Sequence, residues 1–364
     1  MDADPPMLLR LLGLLIWHIV CVCTVSMLAQ RMPAGDQVLI ESNRTRGLRD
    51  LRLVDTSRAL TVNLTRTPNS SEENAEWSPD GAVVAYIYGE VMIRDVCVRV
   101  LPRVDGRCAA STGSWDDRPR WSPDASTIMF QSVTFSGSVR LSLLPGDLSS
   151  RIDLLAVGGY LDYAWSADSR YIVFTAGLNY PLLHVMDILG TGQPQRLFTD
   201  SYREYSPGFS PDGRWLAFIS ESASGQDIYR IPTSCLRQVE TCAQLRERLT
   251  MRDSSFAAFD WSPDSRALIY TSRHGRGYQL TLLDLDALQE RFLTDDNRQY
   301  ASPRFSPSGD SIVYLSGGGA RFDLYLLTLD EGAEPLRLTA DGWDNWSPRW
   351  RPRQRAGLGC PPSC

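Results

Sequence analysis

Acidic and aromatic side chains occur together in seven short segments of the chain, each just before an aromatic residue that opens a Ser-Pro-Asp or related sequence. The aromatic residues are Trp115, Tyr160, Tyr205, Phe256, Tyr300, Trp343 and Trp346. The acids are Glu73, Asp116, Asp117, Asp162, Glu204, Asp295, Asp296, Asp341 and Asp344. Aromatic faces stack on sugars or cations, and grouped carboxylates attract cationic peptides or a divalent cation. We therefore predict that these residues form a ligand-binding surface, although such residues also favour turns and solubility.

Composition limits the chemistry that this surface could perform. The chain contains no lysine and only three histidines, His18, His184 and His274, so Schiff-base chemistry and a multi-histidine metal site are disfavoured. No G-x-S-x-G nucleophile motif is present. We predict binding without catalysis, with no cofactor and no metal. The alternative hypothesis is a hydrolase or lyase that acts on polysaccharide or peptide with two of the carboxylates as acid and base.

A tandem repeat determines where these segments lie. Its motif begins at Trp77, Trp121, Trp165, Phe209, Trp261, Phe305 and Trp350, with spacings of 44, 44, 44, 52, 44 and 45 residues. After each of the first six motifs, three stretches rich in β-forming residues follow, such as "WLAFIS" from Trp215. With the strand that carries the aromatic, each repeat has four strands. Six repeats are complete, and the seventh motif has no strands after it.

The motif itself reads as a tight turn. Ser, Pro, Asp and Gly suit the successive positions of a type I turn between two strands. We therefore interpret the motif aspartates as structural turn residues, namely Asp80, Asp124, Asp212 and Asp264. We expect the aromatic residue before each turn to pack between neighbouring sheets.

Four-stranded units of about 44 residues in tandem are typical of a β-propeller. Three strand-like stretches between Gln37 and Thr65 lack a motif strand, and the strand around Trp350 lacks partners. We predict an all-β, seven-bladed propeller over residues 37–352, in which the C-terminal strand completes the N-terminal blade. In a propeller, the loop from a fourth strand to the next first strand lies at one mouth of the central channel. We call the predicted ligand surface the funnel mouth.

The repeat resembles the TolB-like and related WD40-like β-propeller repeats. The best matches are "PGFSPDGRWLAFISESASGQDIYRI", residues 207–231, and "SPRFSPSGDSIVYLSGGGARFDLYLLTLD", residues 302–330. The resemblance covers residues 37–352 and implies a propeller that binds a partner in the cell envelope. Related repeats also form the propellers of prolyl-oligopeptidase-type peptidases. Neither the extra α/β domain of TolB nor a hydrolase domain has a counterpart in this sequence.

The chain ends indicate location. Residues 1–30 carry an apolar run, residues 11–29, that is long enough for an uncleaved signal-anchor helix, with a cleaved signal peptide as the alternative. Residues 31–36 form a linker and residues 353–364 a C-terminal tail. The cysteines outside the apolar run fall in close pairs, Cys97 with Cys108, Cys235 with Cys242 and Cys360 with Cys364, and predict disulfides in an oxidising compartment.

These features predict a monomeric ring on the extracytoplasmic side of the cell envelope. It is membrane-anchored if the apolar segment is kept, and secreted if that segment is cleaved. The predicted partners are an envelope or surface protein, or a glycan, and the membrane through the N-terminal helix. The net charge of −6 disfavours a nucleic-acid partner. An insertion between Pro232 and Arg246 predicts a disulfide-closed bulge or a short helical turn.

Overall fold

The computed structural model describes residues 37–353, apart from 44–46, 66, 68, 90–92, 102–105, 111, 160–161, 178, 191, 201, 223–224, 251–255, 275–276, 295, 297 and 319–320. The side chains of residues 256, 257, 274 and 277 are also not described. The predicted N-terminal helix, the linker and the Cys360–Cys364 pair lie outside the described residues. Over residues 37–353 with these gaps, no helix is long and apolar enough to cross a membrane.

The described chain is built almost entirely of β-strands, as the repeat predicts. In chain order the strands are β1 Gln37–Asn43, β2 Arg49–Asp55, β3 Leu60–Asn63, β4 Ser71–Trp77, β5 Val83–Gly89, β6 Arg94–Val100, β7 Gly106–Cys108, β8 Trp115–Trp121, β9 Thr127–Val133, β10 Val139–Pro145, β11 Ile152–Val157, β12 Tyr163–Trp165, β13 Tyr171–Ala176, β14 Leu182–Asp187, β15 Gln195–Arg196, β16 Arg203–Phe209, β17 Trp215–Ser222, β18 Gly225–Pro232, β19 Glu247–Arg248, β20 Phe256–Trp261, β21 Ala267–His274, β22 Gly277–Asp284, β23 Gln289–Phe292, β24 Gln299–Phe305, β25 Ser311–Gly318, β26 Arg321–Thr328, β27 Leu336–Arg337 and β28 Asp344–Trp350.

The strands form antiparallel meanders of four. The described sheets have the orders β28-β1-β2-β3, β12-β13-β14-β15, β16-β17-β18-β19, β20-β21-β22-β23 and β24-β25-β26-β27. Strands β4 to β11 form two further meanders, which one parallel bridge between Arg94 and Trp115 joins into an eight-stranded sheet. The result is an all-β, propeller-like fold.

The strand that leads into each repeat motif occupies an edge position in its meander. These strands are β4, β8, β12, β16, β20, β24 and β28, and each ends at its motif aromatic. We call them the motif strands. Strand β28, from the C-terminal end of the described chain, pairs antiparallel with β1 from the N-terminal end, with Val38 opposite Trp350 and Asn43 opposite Asp344.

The turn after each motif strand depends on a relay between serine and aspartate. In the turn after β8, Ser122 Oγ donates to Asp124 at 2.5 Å and accepts from the backbone N–H of Thr127 at 3.0 Å. The same pair of bonds recurs with Asp80, Asp212 and Asp264 as acceptors. The following residue has positive φ, for example 68° at Gly81 and 61° at Ala125, which explains why glycine recurs in the motif.

Seven hydrophobic clusters lie between successive meanders in the described structure. Because side chains alternate along a strand, Val38 and Ile40 of β1 join one cluster and Leu39 joins another. One cluster joins Val313 of β25 to Val38 of β1, so the last meander packs against the meander that contains β1 and β28. The motif aromatics contribute to this packing. Trp77, Trp261 and Trp350 also donate indole N–H bonds to backbone carbonyls of a neighbouring motif strand, at 3.1–3.3 Å.

The insertion between β18 and β19 is a pair of short 3₁₀ helices, Thr233–Arg237 and Val239–Leu245. Disulfide Cys235–Cys242 links them, and both cysteines are buried in the cluster between two meanders. The second disulfide, Cys97–Cys108, joins β6 to β7. Both described cysteine pairs therefore match the sequence prediction.

Candidate functional site

Most predicted funnel-mouth residues lie on the motif strands or immediately before them. These strands begin earlier in the sequence than expected, because residues assigned to loops are already paired. Five motif strands share a positive-φ residue three positions before the motif aromatic: Asn74, Arg118, Ser206, Ser302 and Ser347. A shift in strand register accompanies it. Such a β-bulge changes the direction in which the neighbouring side chains of the strand point.

Three predicted mouth residues meet in an alternating row of tryptophan, arginine and acid, which we call the mouth ladder. It runs Trp346, Arg49, Glu73, Arg94, Trp115. The guanidinium of Arg49 lies 4.3 Å from the ring centroid of Trp346, and that of Arg94 lies 4.9 Å from Trp115. Glu73 Oε2 lies 3.0 Å from Arg94 Nη1 and 3.8 Å from Arg49 Nη1. The ladder spans three meanders and leaves Trp115 43% exposed.

A second arginine–tryptophan stack continues the surface beyond Trp346. The Arg52 guanidinium lies 4.5 Å from the ring centroid of Trp343 and forms an ion pair with Asp341. Asp344 turns away from this stack and accepts a hydrogen bond from the backbone N–H of Phe322 at 2.9 Å. These predicted mouth residues therefore come together, but with arginine partners supplied by distant strands.

Two predicted acids, Asp116 and Glu204, lie buried within their meanders. Asp116 accepts from Ser114 Oγ at 2.9 Å and from Arg151 Nη1 at 3.2 Å. Glu204 accepts from the backbone N–H of Leu183 at 3.1 Å. Burial raises the pKa of Asp116 and raises that of Glu204 to about 7, against the opposing effect of their hydrogen bonds and arginines.

Glu72 is the equivalent residue in β4, five positions before its motif aromatic, and sequence reasoning missed it. Burial raises its pKa to about 7 as well, despite hydrogen bonds from threonine side chains. The three acids therefore share a structural environment inside the sheets.

Asp117 and Asp162 cross-link neighbouring motif strands near the bulge. Asp117 Oδ1 accepts from Asn74 Nδ2 at 2.5 Å. Asp162 accepts from Arg118 Nη1 at 2.9 Å and from the backbone N–H of Ser206 at 3.2 Å. These carboxylates tie successive repeats together below the mouth.

The predicted tyrosines engage acids of their own repeat. Tyr205 donates to Glu221 at 3.0 Å, and Tyr300 donates to Asp296 at 2.6 Å. Burial, reinforced by these acids, raises the pKa of both phenols. Tyr160 and Asp295 lie outside the described residues, as does the side chain of Phe256.

A second cluster, which sequence reasoning missed, lies one residue before the motif aromatics. We call it the channel layer; it comprises Glu76, Arg120, Asp260, Arg304 and Arg349. Its sequence signal is the fixed position immediately before the aromatic, which is Ala164 and Gly208 in the other two repeats. Glu76 Oε2 accepts from both Arg120 Nη1 at 2.6 Å and Arg349 Nε at 3.0 Å. Arg304 Nη1 lies 3.7 Å from Asp260 Oδ1.

Charge and burial compete within the channel layer. Burial tends to raise the pKa of Glu76, but Arg120 and Arg349 outweigh it and the pKa is lowered. Burial raises the pKa of Asp260 against the attraction of Arg304. Burial, together with repulsion from Arg304, lowers the pKa of Arg349 to about 10. Positive charge is therefore in excess around Arg349.

Two adjoining cavities open onto this layer. One, of 320 Å³, is lined by all five channel-layer residues with Phe305 and Trp350. The other, of 420 Å³, shares Arg120, Asp260 and Arg304 and is otherwise lined largely by Tyr163, Phe209, Phe259, Trp261 and residues near the bulges. Within the described part of the chain, no three His, Cys, Asp or Glu side chains are grouped to hold a metal ion.

A family model for the TolB β-propeller domain matches residues 162–354, more than half of the chain. The chain belongs to the TolB β-propeller family. A curated relative of this TolB-type chain is an uncharacterized protein of Agrobacterium fabrum, 26% identical over 180 residues. That match covers 49% of this chain and 58% of the relative, so it spans little more than half of the relative's length.

Solved structures share the fold of this TolB-type chain. TolB from Acinetobacter baumannii aligns with a TM-score of 0.56 at 20% identity, over 87% of this chain and 83% of that protein. An oligogalacturonate lyase in complex with manganese aligns with a TM-score of 0.66 at 13% identity, over 83% and 89%. The tricorn protease aligns with a TM-score of 0.63 at 12% identity, over 86% of this chain and 34% of that protein. These likenesses show the fold alone.

Proposed function

We propose that this chain is a seven-bladed, extracytoplasmic propeller, tethered to the membrane or secreted, that binds a protein at its funnel mouth without catalysing a reaction. The observation that carries the proposal is the mouth ladder. Tryptophan and arginine are the residues most enriched among those that dominate binding energy at protein interfaces. The ladder presents both types, fixed by stacking and ion pairs, on one partly exposed surface.

The packing between meanders supports seven blades in a ring. Each hydrophobic cluster joins one meander to the next, and the cluster of Val313 with Val38 joins the last to the first. The bond from Trp77 Nε1 to the carbonyl of Arg349 spans the next junction, between the meander that contains β28 and the meander that begins with β4. A ring formed in this way leaves few exposed sheet edges.

The disulfides support the proposal that the protein is located in an oxidising compartment. Cys97–Cys108 and Cys235–Cys242 both form within the described residues, and stable disulfides are typical of exported proteins. TolB-type relatives also make an envelope location the natural expectation. The apolar segment of residues 11–29 would then act as an anchor or a signal peptide.

A catalytic role at the mouth is the second candidate, favoured by the carboxylates whose pKa is raised to about 7, the range useful for acid–base catalysis. Glu72 and Glu204 are, however, completely buried inside their meanders. The mouth carboxylates Glu73 and Asp341 are instead held by arginines. Their arrangement suits a rigid binding surface better than proton transfer to a substrate.

The test is capture of cross-linked envelope proteins by the full chain, compared with the variant Trp115→Ala. We expect retention of a specific partner to fall about tenfold or more, as for an interface residue of high binding energy. Leu189→Ala is the control, because Leu189 is 77% exposed and follows β14, at the opposite end of its meander.

Equal retention by both variants would contradict the proposal. Binding of a glycan that is lost in Trp115→Ala would keep the mouth as the site but replace the ligand. Turnover of a peptide or an oligogalacturonate that is lost in a mouth variant would favour the enzymatic alternative.

A further inference from the structure

The channel layer carries more positive than negative charge. Three guanidiniums, from Arg120, Arg304 and Arg349, face two carboxylates, Glu76 and Asp260. Glu76 is shared by two of the arginines through a single oxygen atom, Oε2. This excess of one positive charge stands in a chain whose net charge is −6, so composition does not account for it.

The three arginines also keep unused hydrogen-bond donors. Among the contacts of the described residues, Arg120 and Arg304 bond through Nη1, and Arg349 bonds through Nε and Nη1. Within the described residues, no hydrogen bond to the Nη2 atoms of the three arginines is found, and these atoms are not among the buried polar atoms that lack a partner. Each Nη2 atom therefore reaches solvent. Accessible guanidinium N–H groups are the preferred donors for carboxylate oxygens.

The remaining space beside these donors is bordered by aromatic rings. Ala164 and Gly208 occupy the channel-layer position in two neighbouring repeats and bring no long side chain. The 420 Å³ cavity lies against Gly208 and is walled by Tyr163, Phe209 and Phe259. Aromatic walls of this kind favour a flat, partly apolar body.

We propose that the channel layer binds the carboxylate of a small molecule with a planar ring, the carboxylate at Arg120, Arg304 and Arg349 and the ring in the cavity beside Gly208. Charge balance selects a monoanion. One carboxylate brings the sum of the five side chains to zero, whereas a phosphate dianion would leave a negative excess in a half-buried site.

This site is separate from the funnel mouth. Along β4, Glu76 lies three residues beyond Glu73, and along β28, Arg349 lies three residues beyond Trp346. A bulge lies between the two layers, so these three residues stand opposite only two residues of the partner strand, Ile87 to Ala85 in β5 and Glu41 to Leu39 in β1. At a rise of roughly 3.3 Å per residue, the two layers are about 7 Å apart along the strands. Carboxylate binding therefore does not depend on the partner proposed for the mouth, and Trp115→Ala should leave it intact.

The test compares benzoate with benzamide by ligand-observed NMR on the full chain in mild detergent. The two probes share a ring, but only benzoate carries a charge. We expect benzoate to bind about tenfold or more tightly than benzamide, because a charge-assisted bond is roughly twice as strong as a neutral one. Equal binding of the two probes would overturn the proposal, as would tighter binding of inorganic phosphate than of benzoate.

Two substitutions with opposite expected effects separate recognition from general damage. Arg304→Gln should weaken benzoate binding about tenfold or more, with Arg120→Gln as a second variant should the first unfold. Asp260→Asn removes a competing negative charge while an oxygen remains to accept from the backbone N–H of Phe305, and should tighten binding by about threefold.

Arg170→Gln is the matched control, because Arg170 pairs with Asp187 at 2.6 Å outside the channel layer and should not affect benzoate. Thermal unfolding of each variant verifies the fold. Unchanged binding in folded Arg304→Gln and Arg120→Gln, or weaker binding in Asp260→Asn, would refute the assignment.

Discussion

Burial determines the chemistry of the acids that stand five positions before the motif aromatics. Glu72, Asp116 and Glu204 all lie inside their meanders, and desolvation raises the pKa of each. The acids at the mouth are of the same residue types but lie closer to the surface beside guanidiniums, as Glu73 does between Arg49 and Arg94. Residue type alone therefore does not separate a structural acid from a surface acid in this repeat.

Glu204 gives a pH dependence whose direction can be tested. Its folded-state pKa of about 7 lies above the ordinary value of 4.5, so the native state binds more protons than the unfolded chain between these values. Stability from this group is therefore present at low pH and decreases as pH rises from about 4.5 to 7. Glu204→Gln removes the titration, while the amide oxygen can still accept from Leu183.

We expect the free energy of unfolding of Glu204→Gln, relative to wild type, to increase between pH 5 and pH 8 by up to about 3 kcal/mol. Urea unfolding at several pH values measures it. Glu247→Gln is the control for loss of one negative charge, because Glu247 pairs with Arg230 in the same sheet at a more exposed position. A difference from wild type that stays constant across this pH range would contradict the buried-acid interpretation.

At the scale of the element, the serine–aspartate relay explains why the first six motifs keep their serine although proline or glycine is lost from several of them. Ser122 is buried and satisfies the backbone N–H of Thr127, whereas Ser126 bonds the same Asp124 from an exposed position. Removing Ser122 Oγ leaves a buried donor unsatisfied, and removing Ser126 Oγ exposes its partner to water.

We therefore expect Ser122→Ala to destabilise the chain by about 1–2 kcal/mol and Ser126→Ala by less than about 0.5 kcal/mol. Thermal and urea unfolding of the two variants provide the comparison. Equal losses of stability in the two variants would show that the serine–aspartate relay does not stabilise the turn.

The motif strands also show how much of the structure could be predicted from the sequence. The turn, the number and order of the strands and the packing of motif aromatics follow from local patterns that repeat about every 44 residues, although the starts of the motif strands do not. The ion pairs of the mouth do not follow from those patterns, because Arg49 and Arg94 come from β2 and β6 and meet Glu73 only in the folded sheet. The bulge at Asn74 also breaks the two-residue alternation, which hid the channel-facing position of Glu76.

At the scale of the whole molecule, the junction between the chain ends combines strand pairing, packing and polar contacts. Strand β28 pairs with β1, and Trp350 donates to the carbonyl of Arg304 at 3.2 Å. Asn345 is buried and bonds both Ser42 and the carbonyl of Phe322. These contacts connect β28 to β1 of its own meander and to β24 and β26 of the preceding meander. The junction should therefore contribute to the stability of more than one meander.

Deleting residues 343–364 tests this coupling. The deletion removes all of β28 with Trp343, Trp346 and Trp350, leaves β1 as an exposed edge and opens the cluster around Val38. The three tryptophans are partly buried, and Trp350 packs against the cluster around Val38. Truncating a fully buried aromatic typically costs about 3–5 kcal/mol, so losing all three together with the pairing of β28 and β1 should lower Tm by at least about 10 °C and broaden the calorimetric transition. Deleting only residues 354–364 is the matched control, because it keeps β28 and the Arg351 bond to the carbonyl of Gly81. If stability were local to each meander, both deletions would melt alike. A ring stabilised by closure would lose cooperativity only in the longer one, because an open array unfolds from its free ends.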